Sequence, residues 1–136
     1  MGYHRAGFTE IVGVDVKPQP HYPFTFVQGD ALEYLAEHGA EFDAIHASPP
    51  CQRFTQAQRL QQREHPDLLT PTLAMLASVG VPWVVENVVG APMPGAVLLC
   101  GLSLGVKVKR HRLFAASFPI KGTVCPKGHP GEWFTV

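Results

Sequence analysis

Short apolar runs that end in polar side chains recur along the chain. Each run is long enough for a buried strand and is bounded by residues that favour turns. We therefore predict strands at residues 10–16, 24–28, 42–47 and 83–87. A carboxylate or a thiol ends or closely follows each of them, namely Asp15, Asp30, Cys51 and Glu86.

Helical spacing appears between these runs. Residues 31–38 carry apolar side chains at helical intervals, with Asp30 as the N-cap and Gly39 as a stop. A second amphipathic helix is predicted at residues 68–79, and residues 1–7 are interpreted as the end of a helix closed by Gly7.

The remaining segments lack a clear period. Proline and glycine predict loops at residues 17–23 and 88–95, and residues 52–65 are polar and predicted to be a mobile loop with helical pieces. Residues 106–108 and 113–116 are predicted to be a hairpin or paired strands, followed by an irregular tail from residue 118.

Alternating strands and helices predict an α/β domain with a mostly parallel, doubly wound sheet. In such folds ligands bind beyond the carboxyl ends of the strands. The polar residues that end the strands are therefore predicted to line a site.

The 136 residues, 46% of them hydrophobic, fit one domain. No apolar run approaches the roughly 20 residues of a membrane span, and three unevenly spaced cysteines argue against a disulfide framework. We expect a soluble, intracellular protein in a reducing compartment.

The formal net charge is zero, but the charges are unevenly distributed. Residues 1–50 hold two basic and seven acidic side chains, whereas residues 51–136 hold nine basic and four acidic ones. The second part is therefore net positive by five, which fits either a phosphate-binding surface or solvated charge. The basic side chains considered for such a surface are Arg53, Arg59, Arg63, Lys107, Lys109, Arg110 and Arg112.

The segment Ser48-Pro49-Pro50-Cys51-Gln52 places a thiol on a stiff turn, because two prolines restrict the backbone before it. A stiff mount suits a nucleophile, although an inert, half-buried cysteine is the alternative. Cys125 and His129 suggest a metal, but two ligands without a second pair fall short of a zinc site, so we predict none.

Three motifs occur in a fixed order, Pro50-Cys51-Gln52, Glu86-Asn87-Val88 and Arg110-His111-Arg112. Together they resemble the nucleophile, Glu-Asn-Val and Arg-x-Arg motifs of the cytosine-5 DNA methyltransferase family, especially the compact methylases of phages and prophages. The resemblance also includes residues 1–15 and Gly29-Asp30-Ala31, and it covers roughly residues 1–116.

The resemblance implies a Rossmann-like fold that binds S-adenosylmethionine and methylates carbon 5 of a cytosine flipped out of double-stranded DNA. Cys51 would be the nucleophile and Glu86 the acid, with Arg112 and Arg110 holding the base and a phosphate. Asn87 would fix the cysteine turn, and loop 52–65 would close over the base. The implied cofactor-binding residues are Asp15, Val16, Asp30, Ala31 and Pro50.

The family's first strand and glycine-rich cofactor loop are expected before the helix that ends at Gly7. We therefore expect a catalytic domain at residues 1–117 without its first strand, a tail at 118–136, and no target recognition domain. An upstream segment or a protein partner would complete the cofactor site, and the resemblance implies the cytoplasm of a bacterial host.

Three alternatives remain open at this point. The chain could be an inactive remnant that binds DNA or a partner, or it could act on RNA. Methylation of an exocyclic amine is disfavoured because that chemistry uses an aromatic residue at the position of Cys51.

Overall fold

The computed structural model of the protein describes residues 2–51, 66–125, 128, 129, 131 and 134. The chain divides into two compact units, Met1–Glu41 and Phe42–Val136. Among the described residues, no helix combines the length and apolar character that crossing a membrane requires.

The first unit holds two parallel strands and short helices. Its elements are α1 (Gly2–Arg5), β1 (Val12–Asp15), β2 (Thr25–Gln28), α2 (Ala31–His38) and a 3-10 turn, η1 (Gly39–Glu41). Strands β1 and β2 pair with Asp15 opposite Gln28, so the residues that follow both strands lie at one edge of this sheet.

The helix boundaries of the first unit follow the predicted signals. Gly7 adopts a left-handed conformation with φ of 103° just after α1. Asp30 caps α2, accepting hydrogen bonds at Oδ1 from the backbone N–H groups of Leu32 at 2.7 Å and Glu33 at 3.1 Å. Helix α2 ends at His38 with Gly39 as its C-cap, as predicted, and Gly39 stays right-handed because the chain continues into η1.

The second unit is built on a mixed sheet. Its elements are β3 (Ile45–Ala47), α3 (Leu69–Val79), β4 (Trp83–Asn87), β5 (Val97–Cys100), a 3-10 turn η2 (Leu102–Leu104) and β6 (His111–Ala116). The strand order is β3-β4-β6-β5, with β3 parallel to β4 and β6 antiparallel to both of its neighbours.

Alternating residues of β4, β5 and β6 form the core of this sheet. Val85, Asn87, Ala115 and Cys100 are buried, and the register of the strands places all four on one face. The other face carries Glu86 and the residues paired with it, which are only partly buried. One face is therefore packed, and the other is accessible to a ligand.

The predicted parallel character holds for two pairings only, β1 with β2 and β3 with β4, among the described strands. The predicted hairpin is also wrong in its partner, because β6 pairs with β5 rather than with residues 106–108. The short apolar run of β5 follows a glycine- and proline-rich segment and has no period of its own. Its strand character comes from pairing with β6.

Candidate functional site

An ion pair joins two of the predicted site residues in the second unit. Arg112 Nε lies 2.7 Å from Glu86 Oε1, and about a quarter of each side chain is exposed, at 26% and 23%. A further donor of the same guanidinium, Nη1, binds the backbone oxygen of His111 at 2.9 Å. The two bonds fix the plane of the guanidinium beside the carboxylate.

The pairing register of β4 and β6 produces this contact. Glu86 lies opposite Phe114, and Arg112 lies two residues along the same face of β6. Diagonal neighbours across an antiparallel pair lie within reach of long side chains. The Glu-Asn-Val and Arg-x-Arg motifs are thus brought together by strand pairing, although 26 positions separate Glu86 from Arg112 in the sequence.

Asn87 connects the end of β4 to the proline turn. Its side chain is 1% exposed, and its Nδ2 donates to the backbone oxygen of Pro49 at 3.1 Å. Its Oδ1 accepts from the N–H of Val88 at 2.9 Å. These contacts tie the end of β4 to the turn that leads to Cys51.

Cys51 lies two residues beyond the anchored Pro49 carbonyl and is half-buried. The turn follows β3, which is parallel to β4, so the residues after β3 and after β4 leave the sheet at the same edge. Pro50, predicted to contact the cofactor, is exposed on this turn.

His46 is an exposed residue of β3. It pairs with Val84, so its side chain shares a face with Glu86. Partial desolvation lowers the pKa of His46, and the nearby Glu86 carboxylate opposes that shift. Its Nε2 lies 3.0 Å from Ser48 Oγ. The sequence analysis did not assign His46 to the site. The signal that could have placed it there is the alternation of side chains between the two faces of β3.

Arg110 precedes β6 and is exposed, and its backbone oxygen accepts from Gly101 N–H at 3.0 Å. Its charged group therefore faces solvent rather than the carboxylate that Arg112 binds. Arg53, Arg59, Arg63 and the predicted closing loop at 52–65 lie outside the described residues.

The predicted cofactor residues of the first unit lie at the carboxyl ends of β1 and β2. Asp15 is half-buried, and its oxygens accept from Lys17 N–H at 2.8 Å and Gln19 Nε2 at 3.3 Å. Val16 is 62% exposed directly after it. Asp30 and Ala31 follow β2, where both cap hydrogen bonds of Asp30 use Oδ1. Two carboxylates at one sheet edge are suitable acceptors for ribose hydroxyls and an adenine amino group.

A second cluster of chemically active side chains lies elsewhere in the second unit. Cys100, His111, Cys125 and His129 place one sulfur or nitrogen each within 4.8 Å of one another. The backbone N–H of Ser103, the largest influence, lowers the pKa of Cys100 to about 6, against an opposing effect of burial. Burial raises the pKa of Cys125. Sequence reasoning paired only Cys125 with His129, and the fold supplies a second pair.

Comparison with known proteins yields a likeness in fold. No protein-family model and no curated protein matches the chain. A crystal structure of a triple mutant of DNMT2 from Spodoptera frugiperda matches with a TM-score of 0.59 at 18% identity. The match covers 98% of this chain and 50% of the DNMT2 chain, so this chain spans about half the length of that protein.

Proposed function

We propose that this chain is a cytosine-5 methyltransferase that acts on DNA with S-adenosylmethionine as the methyl donor. The observation that carries the proposal is the Glu86–Arg112 ion pair of 2.7 Å. Asn87, the residue after Glu86 on β4, anchors the turn of Cys51. The fold likeness to DNMT2 supports a Rossmann-like methyltransferase fold. The resemblance of three ordered motifs supports the particular reaction.

Carbon 5 of cytosine is a poor nucleophile and must be activated before it can attack a methyl group. The enzyme activates it by adding a nucleophile of its own to the ring. The Cys51 thiolate would add to carbon 6, which breaks the double bond between carbons 5 and 6 and makes carbon 5 electron-rich. S-adenosylmethionine, when bound, supplies the methyl group. Loss of the proton on carbon 5 to a base re-forms the double bond and expels the Cys51 sulfur.

Glu86 would contact the N3 side of the ring while the sulfur adds to carbon 6. The ion pair uses Oε1, so Oε2 is the oxygen assigned to the base. Arg112 holds the carboxylate in place through Nε, and its remaining donors are assigned to the ring oxygen O2. Asn87 keeps the cysteine turn in position by binding Pro49.

The residues of the first unit fit the proposed cofactor. Asp15 and Asp30 are acceptors at one sheet edge, which suits a nucleoside with ribose hydroxyls and an exocyclic amine. We assign Asp15 and Val16 to the ribose side and Asp30 and Ala31 to the adenine side. Pro50 keeps its predicted assignment to the cofactor.

Methyl transfer from labelled S-adenosylmethionine to cytosine-containing DNA tests the proposal. We expect incorporation by the wild-type chain and none by Cys51→Ser, because a hydroxyl is far less readily ionised than a thiol. DNA containing 5-fluorocytosine should form a covalent adduct with the wild type, and peptide mapping should locate it at Cys51. Loss of the carbon 5 proton is impossible in that substrate, so the sulfur cannot leave.

Three outcomes would contradict the proposal. Equal incorporation by the wild type and Cys51→Ser would exclude Cys51 as the nucleophile. No incorporation by either, with no adduct, would favour an inactive protein that only binds DNA or a partner. Methyl transfer to RNA but not to DNA, measured in a parallel assay, would support the proposed reaction but show that RNA, and not DNA, is the substrate.

A further inference from the structure

Three of the four clustered side chains touch each other around one point. Cys125 Sγ lies 3.2 Å from His111 Nε2 and 3.1 Å from His129 Nε2, and the two nitrogens lie 3.0 Å apart. Cys100 Sγ completes the group, since all four atoms lie within 4.8 Å of one another. Cys100 is fully buried, and the other three are half-buried.

Strand pairing creates one half of this cluster. Cys100 and His111 are directly opposed across β5 and β6, on the face opposite to Glu86 and Arg112. The N–H of Cys100 donates to Thr123 Oγ1 at 2.8 Å, so it points away from β6. Cys100 and His111 therefore form a non-hydrogen-bonded pair, the kind in which opposed side chains approach most closely.

The segment after residue 121 supplies the other half. Thr123 N–H donates to Leu98 O at 2.9 Å, which holds this segment alongside β5 and brings Cys125 to the strand end. Gly128 and His129 both have positive φ, 72° and 48°. A left-handed conformation is unfavourable for a residue other than glycine and is found where surrounding interactions impose it.

Hydrogen bonding alone does not explain the triangle of His111, Cys125 and His129. A ring nitrogen has one lone pair or one N–H, directed along a single line in the ring plane. Each nitrogen here has two partners at about the same short distance, and it cannot point at both. Convergence of several nitrogen and sulfur atoms on one point is typical of side chains that share a metal ion.

We propose that Cys100, His111, Cys125 and His129 bind a structural zinc ion in tetrahedral coordination. Zinc bonds of about 2.3 Å to sulfur and about 2.0–2.1 Å to nitrogen require ligand atoms about 3.3–3.8 Å apart. The three measured separations are within a few tenths of an ångström of that range. Two sulfurs and two imidazoles select zinc over magnesium or calcium, which prefer oxygen ligands.

The groups around the cluster agree with a metal site. Backbone N–H groups of the turn just after β5, that of Ser103 above all, lower the pKa of Cys100. Lys109 adds positive charge near Cys125. Neighbouring groups that orient and stabilise ligands in this way are typical of metal sites. The site is separate from the proposed methyl-transfer residues, so either proposal can fail without the other.

Metal analysis of the full chain tests the proposal. The protein should be made without a polyhistidine tag in zinc-supplemented medium and purified without chelators. We expect about one zinc per chain by inductively coupled plasma mass spectrometry, and less than about one tenth in Cys125→Ser and His129→Gln. Cys51→Ser is the matched control, because it removes the remaining cysteine and should keep the metal.

Two further measurements are made on the wild type, where the result does not depend on whether a variant folds. Cobalt added to the metal-free wild type should give the visible absorption bands of a tetrahedral site with thiolate ligands. A chelator should lower the melting temperature of the wild type by more than about 5 °C, because a ligand that binds only the folded state stabilises it. The chelator should not shift the melting temperature of Cys125→Ser.

The proposal is overturned if the wild type carries no zinc and gives no tetrahedral cobalt spectrum. It is also overturned if mass spectrometry finds a disulfide between Cys100 and Cys125 in protein that holds no metal, or if Cys51→Ser loses zinc as completely as Cys125→Ser.

Discussion

Asn87 is the residue whose buried contacts link the proposed nucleophile to the sheet. It donates to Pro49 on the cysteine turn and accepts from Val88, and almost none of it reaches solvent. Replacing it with alanine leaves two part-buried backbone groups without their side-chain partner. The turn that carries Cys51 would also lose its attachment to β4.

We predict that Asn87→Ala lowers the free energy of unfolding by about 1–3 kcal/mol. Urea unfolding measures this change, and the methyl-transfer rate should fall further than the loss of folded protein explains. Asn87→Asp is the matched variant, because it keeps an acceptor for Val88 N–H but has no donor for Pro49. Full activity in Asn87→Asp would show that the Pro49 contact does not position Cys51.

At the level of single residues, the candidates that the sequence offered lie in short local motifs. Cys51, Glu86, Asn87 and Arg112 were proposed from such motifs, and the structure adds the contacts of Glu86 with Arg112 and of Asn87 with Pro49. The pairing of Cys100 with His111 has no such pattern, because ten residues separate them and only strand register brings them together. His46 was missed for a similar reason, since its relation to Glu86 depends on how β3 pairs with β4.

Helix α2 offers a test that separates a structural role of Asp30 from a role in cofactor binding. Asp30 caps the helix, which by itself accounts for an acid at this position. We predict that Asp30→Ala destabilises the protein by about 1 kcal/mol. Asp30→Ser should retain the cap and the stability, because serine is an equally good N-cap residue.

The shorter serine side chain cannot replace the carboxylate in binding a cofactor. We therefore expect S-adenosylmethionine to bind Asp30→Ser about tenfold more weakly, as measured by isothermal titration calorimetry. If Asp30→Ser binds S-adenosylmethionine with unchanged affinity, the role of Asp30 is limited to capping α2.

The strands differ in how far sequence could predict them. Residues 83–87 were predicted with the observed bounds, because a run of apolar residues lies between Pro82 and a polar end. Strand β5 was missed, since four apolar residues after a glycine- and proline-rich loop fit several structures. The antiparallel pairing of β6 could not be predicted from the sequence either. The periodicity of apolar residues indicates which residues are buried, but it does not indicate which strands are neighbours.

The whole molecule has an uneven charge distribution that bears on the proposed binding of DNA. Of the charged side chains in Met1–Glu41, two are basic and six are acidic, whereas Phe42–Val136 holds nine basic and five acidic ones. A protein that neutralises phosphates binds DNA more weakly as salt rises, with a slope of about 0.9 per phosphate in a plot of log affinity against log salt.

We predict that Arg110→Gln reduces this slope by about 0.9, because its guanidinium is exposed and, if the proposed function holds, would contact one phosphate. Fluorescence anisotropy with labelled duplex DNA at several salt concentrations measures it. Lys17→Gln, which removes an exposed charge from the acidic unit, should leave the slope unchanged. An equal decrease in both variants would indicate general electrostatic attraction rather than a contact made by Arg110.

His111 and Arg112 are neighbours on β6 and face opposite sides of the sheet. This arrangement limits where residues can be inserted into the chain. Neighbouring residues of a strand face opposite sides, so a slip of β6 by one position would turn the arginine toward the cysteines and the histidine toward Glu86. Both constellations would then be lost together. Homologous chains should therefore accept changes in length between Leu104 and Arg110, after the turn that follows Cys100, while keeping a histidine and an arginine adjacent, with no insertion between them.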